Sequence, residues 1–203
     1  MKFNYIKPKI ILFDWDGTLV DTHKALFTSM NDTLIKYNKE IWTYDDWKEW
    51  FHQSPKDSFK DLFGTLWEEA YKSFIFYYTK SNNHKINYFI RMRAMLDYLY
   101  SKNYIKMGVV SNKKKDLLDN EISMLDSYKY FKVIVGSGDT NEDKPSSKPI
   151  EYALTNINKS PGKDVWYVGD SEIDIISGNK AGCTTVYVGS NNYKTRPDFF
   201  VKE

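Results

Sequence analysis

Residues 11–21 read ILFDWDGTLVD. The apolar run Ile10-Ile11-Leu12-Phe13 breaks directly into Asp14, with Asp16 and Asp21 close behind. A buried carboxylate is costly unless something pairs with it. A strand that crosses a core and ends in acids therefore predicts a cationic partner at its far end.

Four more short apolar runs rich in β-branched residues follow: YIKMGVVS (104–111), FKVIVGSG (131–138), DVWYVGD (164–170) and CTTVYVG (183–189). Several lack polar alternation, as strands buried on both faces do. Helix-like segments separate them at 113–128, 148–158 and 171–182, the last stopping at Gly182. This alternation predicts an α/β fold: a Rossmann-like parallel sheet core in three α/β/α layers, joined by right-handed crossovers.

The spacing between the first two strands breaks that rhythm. About ninety residues separate Asp14 from Tyr104, far more than one crossover needs. Within them Ala25, Leu26, Met30, Leu34 and Tyr37 recur at helical spacing. A second helix is expected from Thr43, and Ser54-Pro55 reads as the N-cap and first position of a third. Thr65 followed by Glu68 is a capping-box pattern, and 86–103 reads as a helix leading back to strand two. The expected organisation is a core domain of residues 1–20 and 87–203, with a helical insertion at 21–86.

Composition narrows the partners. The chain of 203 residues can hold one domain with an insertion. Twenty-nine basic and 27 acidic side chains leave a net charge of +2, which gives no ground for a nucleic-acid or membrane-surface partner. No stretch approaches the ~18 apolar residues of a membrane span. The lone Cys183 excludes an intramolecular disulfide and a cysteine-built zinc cluster. It fits a cytoplasmic location. A monomer and a weak dimer are both compatible with this composition. The aromatic run at 74–78, FIFYY, reads as packing, since no basic stripe accompanies it.

Open α/β sheets bind ligands at the carboxyl ends of their strands. Here strand one ends in Asp14 and Asp16, and strand two in Ser111-Asn112-Lys113. The turn after strand three leads to Asp143-Lys144-Pro145, and strand four ends in Gly169-Asp170, with Asp174 four residues on. Asp14, Asp16, Asp170 and Asp174 in one cleft would raise each other's pKa. A divalent cation and Lys144 relieve that repulsion, and oxygen donors without His or Cys point to Mg²⁺. Such a centre suits an anion, phosphate above all. Ser111, backbone N–H groups and Lys144 can bind its oxygens, and an aspartate can attack the phosphorus.

These segments resemble, in order and spacing, the four motifs of the haloacid dehalogenase superfamily. DWDGTLVD (14–21) resembles its DxDGT motif and VVSNK (109–113) its Ser/Thr motif. DKPSSKPIEYAL (143–154) resembles its lysine motif, and YVGDSEIDIISGNKAG (167–182) its GDxxxD motif. Together they cover residues 9–190, closest in flavour to phosphoglycolate-phosphatase-like members. Ser147 stands where the lysine motif often has a second Pro, and Lys148-Pro149 offers a competing register. Trp15 stands where Phe is frequent.

The resemblance implies an Mg²⁺-dependent phosphomonoesterase acting on a small phosphorylated metabolite, with phosphoglycolate the first candidate. It implies Asp14 as nucleophile and Asp16 as general acid and base. Ser111 and Lys144, with Asn112 beside them, would form the phosphate-binding set. Asp14, the Asp16 backbone carbonyl and Asp170 would hold Mg²⁺, with Thr18 and Asp174 in support. The insertion matches the position of the family's helical cap. A sugar-phosphate mutase or a pyrophosphatase on the same scaffold is the rival reading, and a non-catalytic phosphate-binding protein is another. Lys113-Lys114-Lys115 reads most simply as a solvated helix start, with Lys113 able to attract an anionic substrate. His52 and Lys56 are the insertion's candidates for touching substrate, whereas Cys183 reads as a buried small apolar residue.

Overall fold

The computed structural model describes residues 6–50, 55–82, 86–190 and 194–202, with side chains except at 48, 49, 55–57, 81 and 82. Six parallel strands form one sheet: β1 (Ile10–Phe13), β2 (Lys106–Lys114), β3 (Phe131–Ser137), β4 (Val165–Gly169), β5 (Thr184–Val188) and β6 (Phe199–Val201). Their order is β3-β2-β1-β4-β5-β6. The chain thus builds outward from β1 in one direction through β2 and β3, then returns to build in the other. The reversal lies between β1 and β4, where diverging connections leave a crevice at the strands' carboxyl ends.

The inserted helices are α1 (His23–Lys36), α2 (Tyr44–Trp50), α3 (Pro55–Phe63) and α4 (Trp67–Asn82). The core helices are α5 (Met92–Tyr100), α6 (Lys115–Met124), α7 (Lys148–Asn156) and α8 (Glu172–Lys180). Two compact units result: Met1–Val20 with Tyr88–Glu203, and Asp21–Asn87.

In the sheet unit, α6 and α7 pack on β2 and β3, and α8 packs on β4 and β5. Every residue of β1 is buried, so both of its faces are covered. Ile10 and Leu12 share one face with Val110, Val135 and Tyr167, against Ile150, Ala153 and Leu154 of α7. Ile11 and Phe13 alternate to the opposite face. In the inserted unit α1 and α3 pack on α4. Rings dominate there: Phe59 meets Phe63, Phe74 and Tyr71, while Tyr78 is fully buried. In the 74–78 run Phe74 and Tyr78 are buried, whereas Phe76 is exposed.

Several local expectations change. Lys113 and Lys114 do not begin a helix. They continue β2, and α6 starts at Lys115. Val110 pairs with Val135 and Lys114 with Ser137, four steps on β2 against two on β3. That irregularity re-aims the side chains between them, and Lys113 is buried instead of solvated. Strand β6 escapes the sequence pattern because it is three residues long. The helix expected from 86 begins only at Met92. A 3₁₀ turn at Gly64–Leu66 precedes α4, displacing the start expected from Thr65. The proposed cap residue Ser54 lies outside the described residues. Among the described residues no helix is long and apolar enough to cross a membrane.

Leu12 tests this core. It is fully buried on the central strand, so Leu12→Ala should destabilise the protein by about 2–5 kcal/mol. Urea unfolding should show a lower midpoint with an unchanged slope.

Candidate active site

Strand β1 delivers Asp14 to the crevice. Its N–H donates to the Val168 carbonyl at 2.8 Å, so the pairing with β4 runs one residue past the strand. The chain then folds back sharply: Leu19 and Val20 N–H groups both donate to the Trp15 carbonyl. Gly17 at φ 77° makes that reversal possible, a conformation a side chain would resist. The result places Asp14, Asp16 and Thr18 within one tight loop.

Lys144 occupies the centre. It is buried, and its Nζ donates to Asp14 Oδ1 at 2.8 Å and to Asp174 Oδ1 at 2.7 Å. Its backbone is clamped by Asn112, whose Oδ1 accepts from Lys144 N–H and whose Nδ2 donates to Lys144 C=O, both at 2.9 Å. The following loop is tethered by the Ser177 hydroxyl, which donates to Ser146 C=O at 2.6 Å. The Lys144–Pro145 peptide bond is cis. Lys148, the competing register, is exposed at the start of α7.

Asp174 is fully buried in the first turn of α8. Its Oδ2 accepts from the Ser171 N–H at 3.1 Å and from the Ser171 hydroxyl, closing a capping box. Its Oδ1 faces Lys144 and the Tyr167 hydroxyl, the latter at 3.2 Å. That hydroxyl also lies 2.9 Å from Val110 C=O, so its one proton serves two acceptors. Gly169 makes room: a Cβ there would fall 2.4 Å from Asp174 Cβ and Cγ. Asp170, one residue past β4, accepts from the Thr18 hydroxyl at 2.7 Å.

One carboxylate oxygen from each of Asp14, Asp170 and Asp174 lies within 4.8 Å of the others. The Asp14 carboxyl is pushed up to about 7: burial raises it most, Lys144 pulls it back, and Asp174 and Asp16 add to the rise. Burial, then the charges of Asp14 and Asp174, hold Asp170 well above the ordinary carboxylate range. Burial alone would lower Lys144, but Asp14 and Asp174 outweigh it and hold the amine well above its usual value. Three clustered acids with one ammonium on two of them are short of positive charge. A hard divalent cation fits the oxygen-donor set of Asp14, Asp170 and Asp174. Both oxygens of Asp174 are already committed to protein donors.

The structure brings Asp14, Thr18, Asn112, Lys144, Asp170 and Asp174 into contact with one another. Ser111 is buried at the same strand end, its Oγ accepting from Lys113 N–H at 3.2 Å. Asp16 is partly exposed and accepts from Lys113 Nζ at 2.7 Å. His52 lies outside the described residues. The backbone of Lys56 belongs to α3, and its side chain is outside the description. Sequence reasoning missed Tyr167, Ser171 and Glu121. Ser171 had a legible signal, since Ser171 and Asp174 stand at capping-box spacing. Tyr167 and Glu121 carried none.

The chain belongs to the haloacid dehalogenase-like hydrolases, whose family model matches residues 11–188. It is thus related to an enzyme family defined by hydrolysis. It is 30% identical to a phosphoglycolate phosphatase of Aquifex aeolicus, over 87% of this chain and 83% of that one. It is 26% identical to the pyrophosphatase PpaX of Bacillus pumilus, over 95% and 91%. Among solved structures it resembles a hydrolase of this superfamily from Ehrlichia chaffeensis, with a TM-score of 0.63 at 30% identity, over 95% and 93%. A haloacid dehalogenase-like hydrolase from Streptococcus pneumoniae shares the fold, with a TM-score of 0.82 at 19% identity, over 95% and 93%.

Two outcomes follow from this geometry. Gly169→Ala should force Asp174 away from Lys144, lowering both stability and turnover, with stability falling by about 1–3 kcal/mol. Unfolding and rate measurements on the same sample check this. The second concerns pH. The folded Asp14 carboxyl, near 7, lies above its unfolded value of roughly 3.9. This group therefore supports the metal-free fold at low pH, and that support is lost as pH rises towards about 7. A divalent cation binds the ionised carboxylates, so the rise in Tm on adding Mg²⁺ should be larger at about pH 8 than at about pH 5. Equal rises would contradict the assignment.

Proposed function

We propose that the protein is an Mg²⁺-dependent phosphomonoesterase that hydrolyses a small phosphorylated metabolite through an aspartyl phosphate. The observation that carries this is the buried Asp14 carboxylate, held by Lys144 beside Asp170, with the more exposed Asp16 two residues away. Asp14 attacks phosphorus, forming one P–O bond as the bond to the leaving oxygen breaks. Asp16 gives that oxygen its proton. In the second step Asp16 takes a proton from water, which attacks the phosphorus and frees Asp14. Lys144 holds Asp14 in place and offsets negative charge on the phosphoryl oxygens, with Ser111 presenting its hydroxyl to them. Bound between Asp14, the Asp16 carbonyl and Asp170, Mg²⁺ would supply Lewis-acid charge compensation. Asn112 acts one step back, by fixing the Lys144 backbone. Thr18 does the same for Asp170.

Phosphoglycolate is the first substrate to try, supported by the relative from Aquifex aeolicus. Pyrophosphate is the second, supported by the similarity to the pyrophosphatase PpaX of Bacillus pumilus along nearly the whole chain. The two differ in what Asp16 must do, because a phosphate leaving group needs less protonation than an alkoxide.

A phosphate-release screen of the purified protein, with Mg²⁺ and with excess chelator, decides among these substrates. Turnover should require the cation. Asp14→Asn should fold normally and lose turnover by at least about a thousandfold, because an amide cannot attack phosphorus. Acid-quenched wild-type protein, and never Asp14→Asn, should carry the added mass of one HPO₃ unit. Near wild-type turnover by Asp14→Asn would overturn the mechanism.

A further inference from the structure

A second buried charge cluster lies beside the first. Glu121, in α6, is fully buried. Its Oε2 accepts from the Trp15 indole N–H at 2.7 Å. Lys113 Nζ donates to Glu121 Oε1 at 2.7 Å and to Oε2 at 2.6 Å. The same ammonium donates to Asp16 Oδ1 at 2.7 Å. Side-chain exposure falls from 13% at Asp16 to 3% at Lys113 and 1% at Glu121. The chain of contacts therefore runs inward from the site to the core.

This arrangement is a poor device for stability. A buried ion pair generally does no better than well-packed apolar residues of the same volume. It is also a poor lure for an anion, because Lys113 is shielded and its one charge faces two carboxylates. What it does supply is direction. A lysine side chain has many rotamers and would hold a lone aspartate loosely. Glu121 holds the ammonium at one point with both its oxygens, and Trp15 holds Glu121 through a donor that Phe would lack. Trp15 is itself fully buried and edge-packed against Tyr88 and Phe131.

We infer that Lys113, anchored by Glu121 and Trp15, is a positioning residue that aims the Asp16 carboxyl for proton transfer to the leaving oxygen. The inference rests on the phosphatase reading and on Asp16 as acid and base. Proton transfer is sensitive to distance and angle, so a loosened Asp16 harms reactions that need protonation and spares those that do not.

The test uses the full-length protein with Mg²⁺, and p-nitrophenyl phosphate and glycerol phosphate as substrates. Lys113→Met with Glu121→Gln removes both core charges together, and the Asp16 carboxylate that loses its cation still reaches water. Its kcat on glycerol phosphate should fall about tenfold or more beyond any fall on p-nitrophenyl phosphate, with KM shifting less than about threefold on either. Lys113→Arg keeps the charge but displaces its point of contact, and should show a smaller split of the same sign. It also decides the matter if the double variant does not fold. Equal losses on both esters, unchanged rates, or a raised KM with retained kcat would each overturn the inference. If Asp16→Asn shows the split and the Lys113 variants do not, the inference falls while the phosphatase reading stands. If the wild-type protein releases phosphate from neither ester, nor from phosphoglycolate or pyrophosphate, both fall.

Discussion

One ammonium group ties the site together. Lys144 Nζ sits between Asp14 and Asp174, and all three residues are buried. Asp14 follows β1, Lys144 lies in the connection from β3 to α7, and Asp174 opens α8. Three connections far apart in sequence are therefore held at one point. Removing Lys144 would leave two buried carboxylates without their cation, which typically costs about 3–5 kcal/mol. The surrounding donors show how tightly the point is defined. Asn112 grips the Lys144 backbone on both sides, and Ser171 and Tyr167 fill the remaining positions on Asp174.

Charge balance then turns this structural constraint into chemistry. Asp14 and Asp174 share a single lysine, and Asp170 lies beside them. Burial first, and then the neighbouring negative charges, raise Asp14 and Asp170. A carboxylate group in that condition suits a metal ion. Asp174 is different in kind. With both oxygens bound to protein donors, it orients Lys144, and Gly169 gives it the room to do so. The cluster of Asp16, Lys113, Glu121 and Trp15 follows the same logic at the next layer, with a buried carboxylate holding the cation that meets Asp16.

Much of this was legible in the chain. A β-strand of Ile10–Phe13 that ends in Asp14 admits few explanations, because burial of an acid demands a partner. The same holds for Gly169-Asp170 and for a lysine in the turn after strand three. Apolar runs without alternation announced a sheet covered on both faces, and ninety or so residues between two of them announced an insertion. Those features are local: strand pattern, turn chemistry and charge are written in neighbouring residues.

What tertiary structure alone decided is where long-range register and packing take over. Whether Lys113 faces water or the core depends on the irregular pairing of β2 with β3 after Val110, which no local pattern in β2 specifies. The Trp15–Glu121 hydrogen bond joins residues 106 positions apart, so the tryptophan's indole N–H had no visible use in the sequence. Tyr167 alternates inward on β4 like any core residue, and only the approach of α8 brings its hydroxyl to Asp174. Strand β6 exists because β5 offers it an edge, since three residues carry too little pattern of their own. The sequence by itself determined which acids end which strands, since their burial must be compensated. The fold decided which oxygen meets which donor, since those distances depend on elements that meet only after folding.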